Sequence, residues 1–178
     1  IEFAHQQPAE WLEEDILEGA SGTYWRYDGP NQFNNPGQAL FNTWVYIQNP
    51  GTYRFQWRNR IAVGTSTTDA NDSWLRIRPT TNIPRPPVAF YGLLSTDNLV
   101  CPRGYDIASN DCPIELDADG DVEPEGSGSA GWFKVFRSGE GDWIWTTRTS
   151  DNEGHEIFVR FDAPGPYLIQ ISGRSRNH

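Results

Sequence analysis

The sequence predicts an all-β protein, a jelly-roll β-sandwich forming one domain over residues 1–178 with a long ordered insertion at about 79–130. Three observations carry this. About eight stretches alternate apolar and polar side chains with the period of two that sends successive residues to opposite faces of a strand. Aromatic residues make up 13% of the chain, and Gly (17) and Pro (13) punctuate it, as pleated strands and frequent turns require. No stretch shows a convincing helical period.

The elements follow in order. Residues 10–18 (EWLEEDILE) leave open one helical turn or an edge strand, and Thr23 to Tyr27 is an early strand. Ala39 to Gln48 reads as a strand ending at the turn signal Asn49-Pro50-Gly51. Thr52 to Val63 continues as a second strand, with Tyr53, Phe55, Trp57 and Ile61 on one face and Arg54, Gln56, Arg58 and Arg60 on the other; the two are expected to form an antiparallel hairpin. Ser73 to Arg78 alternates Trp74, Arg76 and Arg78 against Leu75 and Ile77. Trp132 to Arg137, Trp143 to Arg148, Glu156 to Phe161 and Tyr167 to Gly173 complete the set, the last two expected as a hairpin around Asp162-Ala163-Pro164-Gly165-Pro166. From about Pro79 to Ala130 prolines interrupt the rhythm, and a loop of that length is functional or disordered. A cysteine pair and an acidic cluster inside it favour order.

Charge and composition exclude several functions. A net charge of −10 with a pI near 4.6 lacks the basic footprint of a nucleic-acid binder. No apolar run approaches the roughly 20 residues of a membrane helix. The chain opens Ile1-Glu2-Phe3-Ala4 rather than with a charged start and an apolar stretch, as expected of a processed protein or a piece of a larger one. Cys101 and Cys112 sit in a polar region of an acidic chain with a single Lys, a setting that suits a disulfide in a secreted protein; two reduced thiols are the alternative.

Three constellations bear on function. Asp117, Asp119, Asp121 and Glu123 alternate around Gly120, a supply of oxygens suited to structural calcium or else a solvated acidic turn. Arg54, Arg58 and Arg60, joined by Arg76, Arg78 and Arg148, offer guanidiniums that grip carboxylate, sulfate or phosphate, or pair with the chain's own 24 acidic residues. Of the 8 tryptophans, Trp44 and Trp57 read as core, while Trp74, Trp132, Trp143 and Trp145 divide between core and flat platforms for a sugar face. Catalysis has little support: His5, His155 and His178 are scattered, and no nucleophile-elbow motif is present. Asn71-Asp72-Ser73 is a glycosylation sequon or a polar binding loop.

Several stretches resemble the galactose-binding-like β-sandwiches, such as family 6 and family 35 carbohydrate-binding modules of bacterial polysaccharide-degrading enzymes. They are Asn49-Pro50-Gly51-Thr52-Tyr53-Arg54-Phe55, Arg58-Asn59-Arg60-Ile61, Asn71-Asp72-Ser73-Trp74-Leu75-Arg76, Phe90-Tyr91-Gly92, Gly131-Trp132-Phe133-Lys134-Val135 and Ile171-Ser172-Gly173-Arg174-Ser175. The resemblance spans roughly residues 20–178. It implies a ligand held at the loops of one sandwich edge or across a sheet face, a structural calcium, and a final apolar strand beyond the Gly-Arg-Ser motif, whereas this chain stops at His178.

Together these readings predict a secreted, non-catalytic module, linked to a catalytic domain, that binds a polysaccharide or oligosaccharide of acidic, sulfated or galactan type. No nucleic-acid partner and no membrane span are expected. The expected sugar site comprises Arg58, Arg60, Asn71, Asp72, Trp74, Tyr91, Trp132, Trp143, His155 and Arg174, with Arg60 and Trp74 on the strands flanking one loop. An extracellular protein-interaction or adhesion domain is the alternative, followed by a small jelly-roll lyase or hydrolase.

Overall fold

The alternating stretches do pair into sheets. The structure, a computed structural model, describes residues 5–6, 8–61, 70–79, 88–93, 96–100, 131–136, 141–145, 147–149, 155–161 and 163–176. Among these there are strands and turns and no helix. The strands are β1 (His5–Gln6), β2 (Trp11–Glu14), β3 (Tyr24–Tyr27), β4 (Leu40–Ile47), β5 (Gly51–Arg54), β6 (Arg58–Asn59) and β7 (Asp72–Pro79). They continue as β8 (Val88–Leu93), β9 (Thr96–Val100), β10 (Phe133–Phe136), β11 (Ile144–Trp145), β12 (Arg148–Thr149), β13 (His155–Phe161) and β14 (Gly165–Gly173). Residues 11–14 are thus a strand, not a helical turn, because they pair with β3 from Trp11–Tyr27 to Glu14–Tyr24.

One antiparallel sheet carries most of the chain, in the order β1-β4-β14-β7-β10-β12-β13-β8-β9, with β5 also on β13. Its apolar residues alternate: Leu75 and Ile77 on β7, Phe133 and Val135 on β10, Ile157, Val159 and Phe161 on β13, with Tyr167 on β14. These residues come from strands spread across the sheet, yet they share one buried core. The sheet therefore curls around them like half a barrel, as right-handed strand twist allows. The fold is all-β and belongs to the sandwich-like class.

Both expected hairpins are corrected. β4 pairs with β14 and β1, and β5 pairs with β13; β13 and β14 are not partners. Each turn instead lifts the chain from one part of the curled sheet to another. The two corners run side by side, since Ile47 pairs with Gly165 and Phe161 with Gly51. Each new strand opens on a glycine of positive φ, Gly51 at 153° and Gly165 at 150°, a conformation that a side chain disfavours. Pro50 and Pro164 lack an N–H for a hairpin ladder at these points.

The expected strand over residues 52–63 is also divided. β5 follows β13 to Arg54, the chain stays bonded through Phe55 N to Ile157 O (2.8 Å), and β6 then pairs with β11 in a separate sheet. The alternation survives the transfer, with Phe55 and Trp57 packing on the core and Ile61 buried. The interval at 79–130 contributes the β8–β9 hairpin to the sheet, β8 pairing with β13 from Glu156–Gly92 to Arg160–Val88. Val88 to Leu93 carried a strand pattern that the neighbouring prolines obscured.

Candidate functional site

The candidate residues fall into two clusters with similar chemistry and opposite exposure. The first surrounds a groove of about 460 Å³ between the β2–β3 and β6–β11 ribbons. Its aromatic lining comprises Trp11, Tyr24, Trp25, Phe41, Trp57, Trp143 and Trp145, and Arg26, Arg58 and Arg60 supply its charge. Phe41 of β4, Ser73 of β7 and Ile171 of β14 form the floor.

One wall is the β2–β3 ladder. Arg26 donates through Nη2 and Nε to Glu14 Oε1 at 2.7 and 3.0 Å, and Tyr24 donates its hydroxyl to Glu14 Oε2 at 2.9 Å. The hydrogen bonds from Arg26, aided by Tyr24, hold the Glu14 carboxyl below the usual carboxylate range although partial burial opposes them. Burial, with the neighbouring Glu14, pushes the Tyr24 phenol up. Beneath the wall Trp11 packs on Tyr27 and Phe41, and Trp25 on Phe41, with ring centroids 5.2–5.7 Å apart.

The other wall is latched to the loop between β2 and β3. Arg58 and Arg60 stand two residues apart, so their side chains leave the same face of the chain. Arg58 Nη2 donates to Gly19 O and Arg60 Nη1 to Glu18 O, both at 2.8 Å, and Trp143 Nε1 donates to Glu18 O at 3.1 Å. The Arg58 guanidinium lies 5.4 Å from the Trp143 ring centroid, and Tyr24 meets the same indole edge-on at 5.2 Å. Gly19 holds a φ of +81° against Trp143, where a Cβ would come within 3.2 Å of the ring. Trp145, opposite Arg58 in the ladder, is 65% exposed at the rim.

The second cluster lies on the outer face of β7, β10 and β14. Buried Asp72 accepts from Arg174 Nη1 and Ser175 Oγ and pairs with Lys134 Nζ at 3.4 Å. Arg174 stacks on Trp74 and on Phe33, each at 5.1 Å, and Arg76 on Trp132 at 4.4 Å. Residues 28–39 cover this face. Trp74 Nε1 donates to Gln32 O (2.9 Å), Gln32 N to Arg174 O (2.8 Å) and Gly37 N to Ser172 Oγ (2.9 Å). Trp74 is left 6% exposed and Trp132 2%, so neither indole presents a face to solvent. Asn71, at 2%, is buried too, which leaves no room for a glycan on the folded sequon.

Of the ten expected site residues, then, Arg58, Arg60 and Trp143 line the groove, while Asn71, Asp72, Trp74, Trp132 and Arg174 build the covered cluster. Tyr91 and His155 lie on adjacent strands of the main sheet, Tyr91 opposite Ile157 and His155 opposite Thr149. Asp117, Asp119, Asp121, Glu123, Cys101 and Cys112 lie outside the described residues. Among those described, no three His, Cys, Asp or Glu side chains are grouped to hold a metal. Arg54 is drawn off to Glu156 and does not join Arg58 and Arg60. Sequence reasoning missed Trp11, Tyr24, Trp25, Arg26 and Phe41. For all but Phe41 the signal was the aromatic density of residues 11–27 with Glu14 and Arg26 of opposite charge on the neighbouring strands β2 and β3, readable only once residues 11–14 are taken as a strand.

The chain matches no protein-family model, no curated protein and no solved structure.

Proposed function

We propose that this chain is a non-catalytic carbohydrate-binding module, secreted as part of a polysaccharide-degrading protein. The observation that carries the reading is the groove, whose volume of about 460 Å³ and indole-rich walls suit a sugar ring stacked on an aromatic face. Its described lining is dominated by aromatic rings and arginines, and the Glu14 carboxylate of the β2–β3 wall is held by Arg26 and Tyr24. The resemblance to galactose-binding-like modules points the same way. In this reading Asp117, Asp119, Asp121 and Glu123 hold structural calcium and Cys101 pairs with Cys112. Affinity electrophoresis over a panel of neutral and anionic polysaccharides tests it. Retardation by at least one polymer, weakened in Trp145→Ala, is the expected result; unretarded migration through all of them refutes it.

A further inference from the structure

We infer that the groove selects an anionic sugar residue, a pyranose bearing a carboxylate or sulfate read by Arg58 and Arg60; the inference rests on the carbohydrate-binding reading and narrows it. The protein carries 24 acidic residues and a net charge of −10, yet the described lining of the groove holds three arginines, and the Glu14 carboxylate on its β2–β3 wall is taken up by Arg26 and Tyr24. Arg26 is matched by Glu14 and Asp28 at 2.7 and 3.2 Å. Arg58 and Arg60 are not matched in that way. Their partners are the neutral carbonyls of Gly19 and Glu18, and among the described residues neither lies within ion-pair distance of a carboxylate.

Each guanidinium has five N–H donors and uses one on its carbonyl, which fixes the planar fork while leaving most donors unengaged. Arg60 Nε is buried with no hydrogen-bond partner among the described residues. A half-buried cation balanced only by peptide oxygens attracts an anion more strongly than a surface cation does, because solvent screens it less. Guanidinium forks match the planar oxygens of carboxylate and the oxygen pairs of sulfate. The indoles of Trp143 and Trp145 beside them supply the apolar face on which the ring would rest. Anion and ring are thus recognised by adjacent groups on one ribbon, β6–β11.

The test is affinity electrophoresis of the whole chain through gels containing a neutral galactan, a polyuronate or a sulfated galactan, each at low salt and at about 0.5 M NaCl, where the screening length falls to a few ångström. The expected result is retardation by an anionic polymer and not by the neutral one, weakened at high salt. The double variant Arg58→Gln/Arg60→Gln loses about tenfold or more in affinity, the scale of charge-assisted hydrogen bonds. Arg58→Lys/Arg60→Lys keeps the charge without the fork and falls between the two. The salt response of the unmodified protein is read independently of whether either variant disturbs the 17–20 loop. The polyuronate and sulfated gels separate the two sources of the anion. Equal, salt-independent retardation by the neutral galactan overturns the inference while sparing the module. Absence of retardation in all three gels overturns both.

Discussion

The groove and the covered cluster are built from the same pieces, and only one of them is open. In each, a guanidinium lies over an indole: Arg58 on Trp143 in the groove, Arg174 on Trp74 and Arg76 on Trp132 beneath residues 28–39. In each, a tryptophan N–H is taken by a backbone carbonyl of a crossing loop, Glu18 for Trp143 and Gln32 for Trp74. The difference lies in the charges. Arg174 and Lys134 converge on buried Asp72, whereas Arg58 and Arg60 end on carbonyls. In the covered cluster the cations have a carboxylate at their centre and a loop over them, although Arg174 Nε, like Arg60 Nε, has no hydrogen-bond partner among the described residues. In the groove the cations end on carbonyls beside an open aromatic wall, which is why the proposed binding is placed there. Tryptophan and arginine in alternation are therefore not a binding signature until their cover and counter-charge are known.

The sharpest way to break this comparison is to truncate one tryptophan from each side. Trp74→Ala removes a buried indole and is expected to cost about 3–5 kcal/mol, enough to unfold much of a marginal domain. Trp145→Ala, at an exposed rim, is expected to stay within about 0.5 kcal/mol of the parent while weakening glycan binding. Chemical denaturation of the two variants reads the contrast; comparable losses of stability would place both tryptophans in one structural class.

Next comes the packing that seats the cover. Gly173 lies under the ring of fully buried Tyr27, whose hydroxyl donates to Pro30 O at 2.8 Å, and a Cβ at Gly173 would lie 2.1 Å from Tyr27 Cζ. Gly173→Ala is expected to cost about 1–3 kcal/mol as the ring is forced aside. Thermal melting checks it, and an unchanged midpoint would mean that the ring has freedom its burial denies.

A smaller effect is expected at the paired corners. Gly165→Ala places a side chain at a φ of 150° and is expected to lose about 1 kcal/mol, with Gly51→Ala, at 153°, similar. Measured together, these two variants show whether the corners, which belong to neither cluster, contribute independently.

The smallest effect concerns acid on the groove wall. The folded Glu14 carboxyl is held below its ordinary value by Arg26, so the stabilisation is fully present above the unfolded value of about 4.3 and is lost as pH falls through the lower folded one. Glu14→Gln is expected to flatten the acid limb of the stability profile below about pH 4.3 and to cost about 1 kcal/mol or less at neutral pH. Denaturant melts between neutral and strongly acidic pH check it; an acid limb identical to the parent's would exclude the pair as its source.

The sequence by itself determined the strand content and which side chains alternate. Ser73 to Arg78, Glu156 to Phe161 and Tyr167 to Gly173 fall almost where β7, β13 and β14 lie, with Leu75, Ile77, Ile157 and Val159 on the buried face as the period of two requires. That signal is local, set by neighbours along one chain. Pairing and cover are not local. Whether Asn49-Pro50-Gly51 closes a hairpin or turns a corner depends on β14 and β13 waiting more than a hundred residues away as partners for β4 and β5. Whether Trp74 is a platform or core depends on residues 28–39 folding back over it. Trp143 and Trp74 look alike in sequence because each is an indole next to an aspartate or serine at the start of a strand-like stretch, with the same intrinsic preferences in both places. Only the third dimension supplied Asp72 and a covering loop to one and left carbonyls and open space to the other.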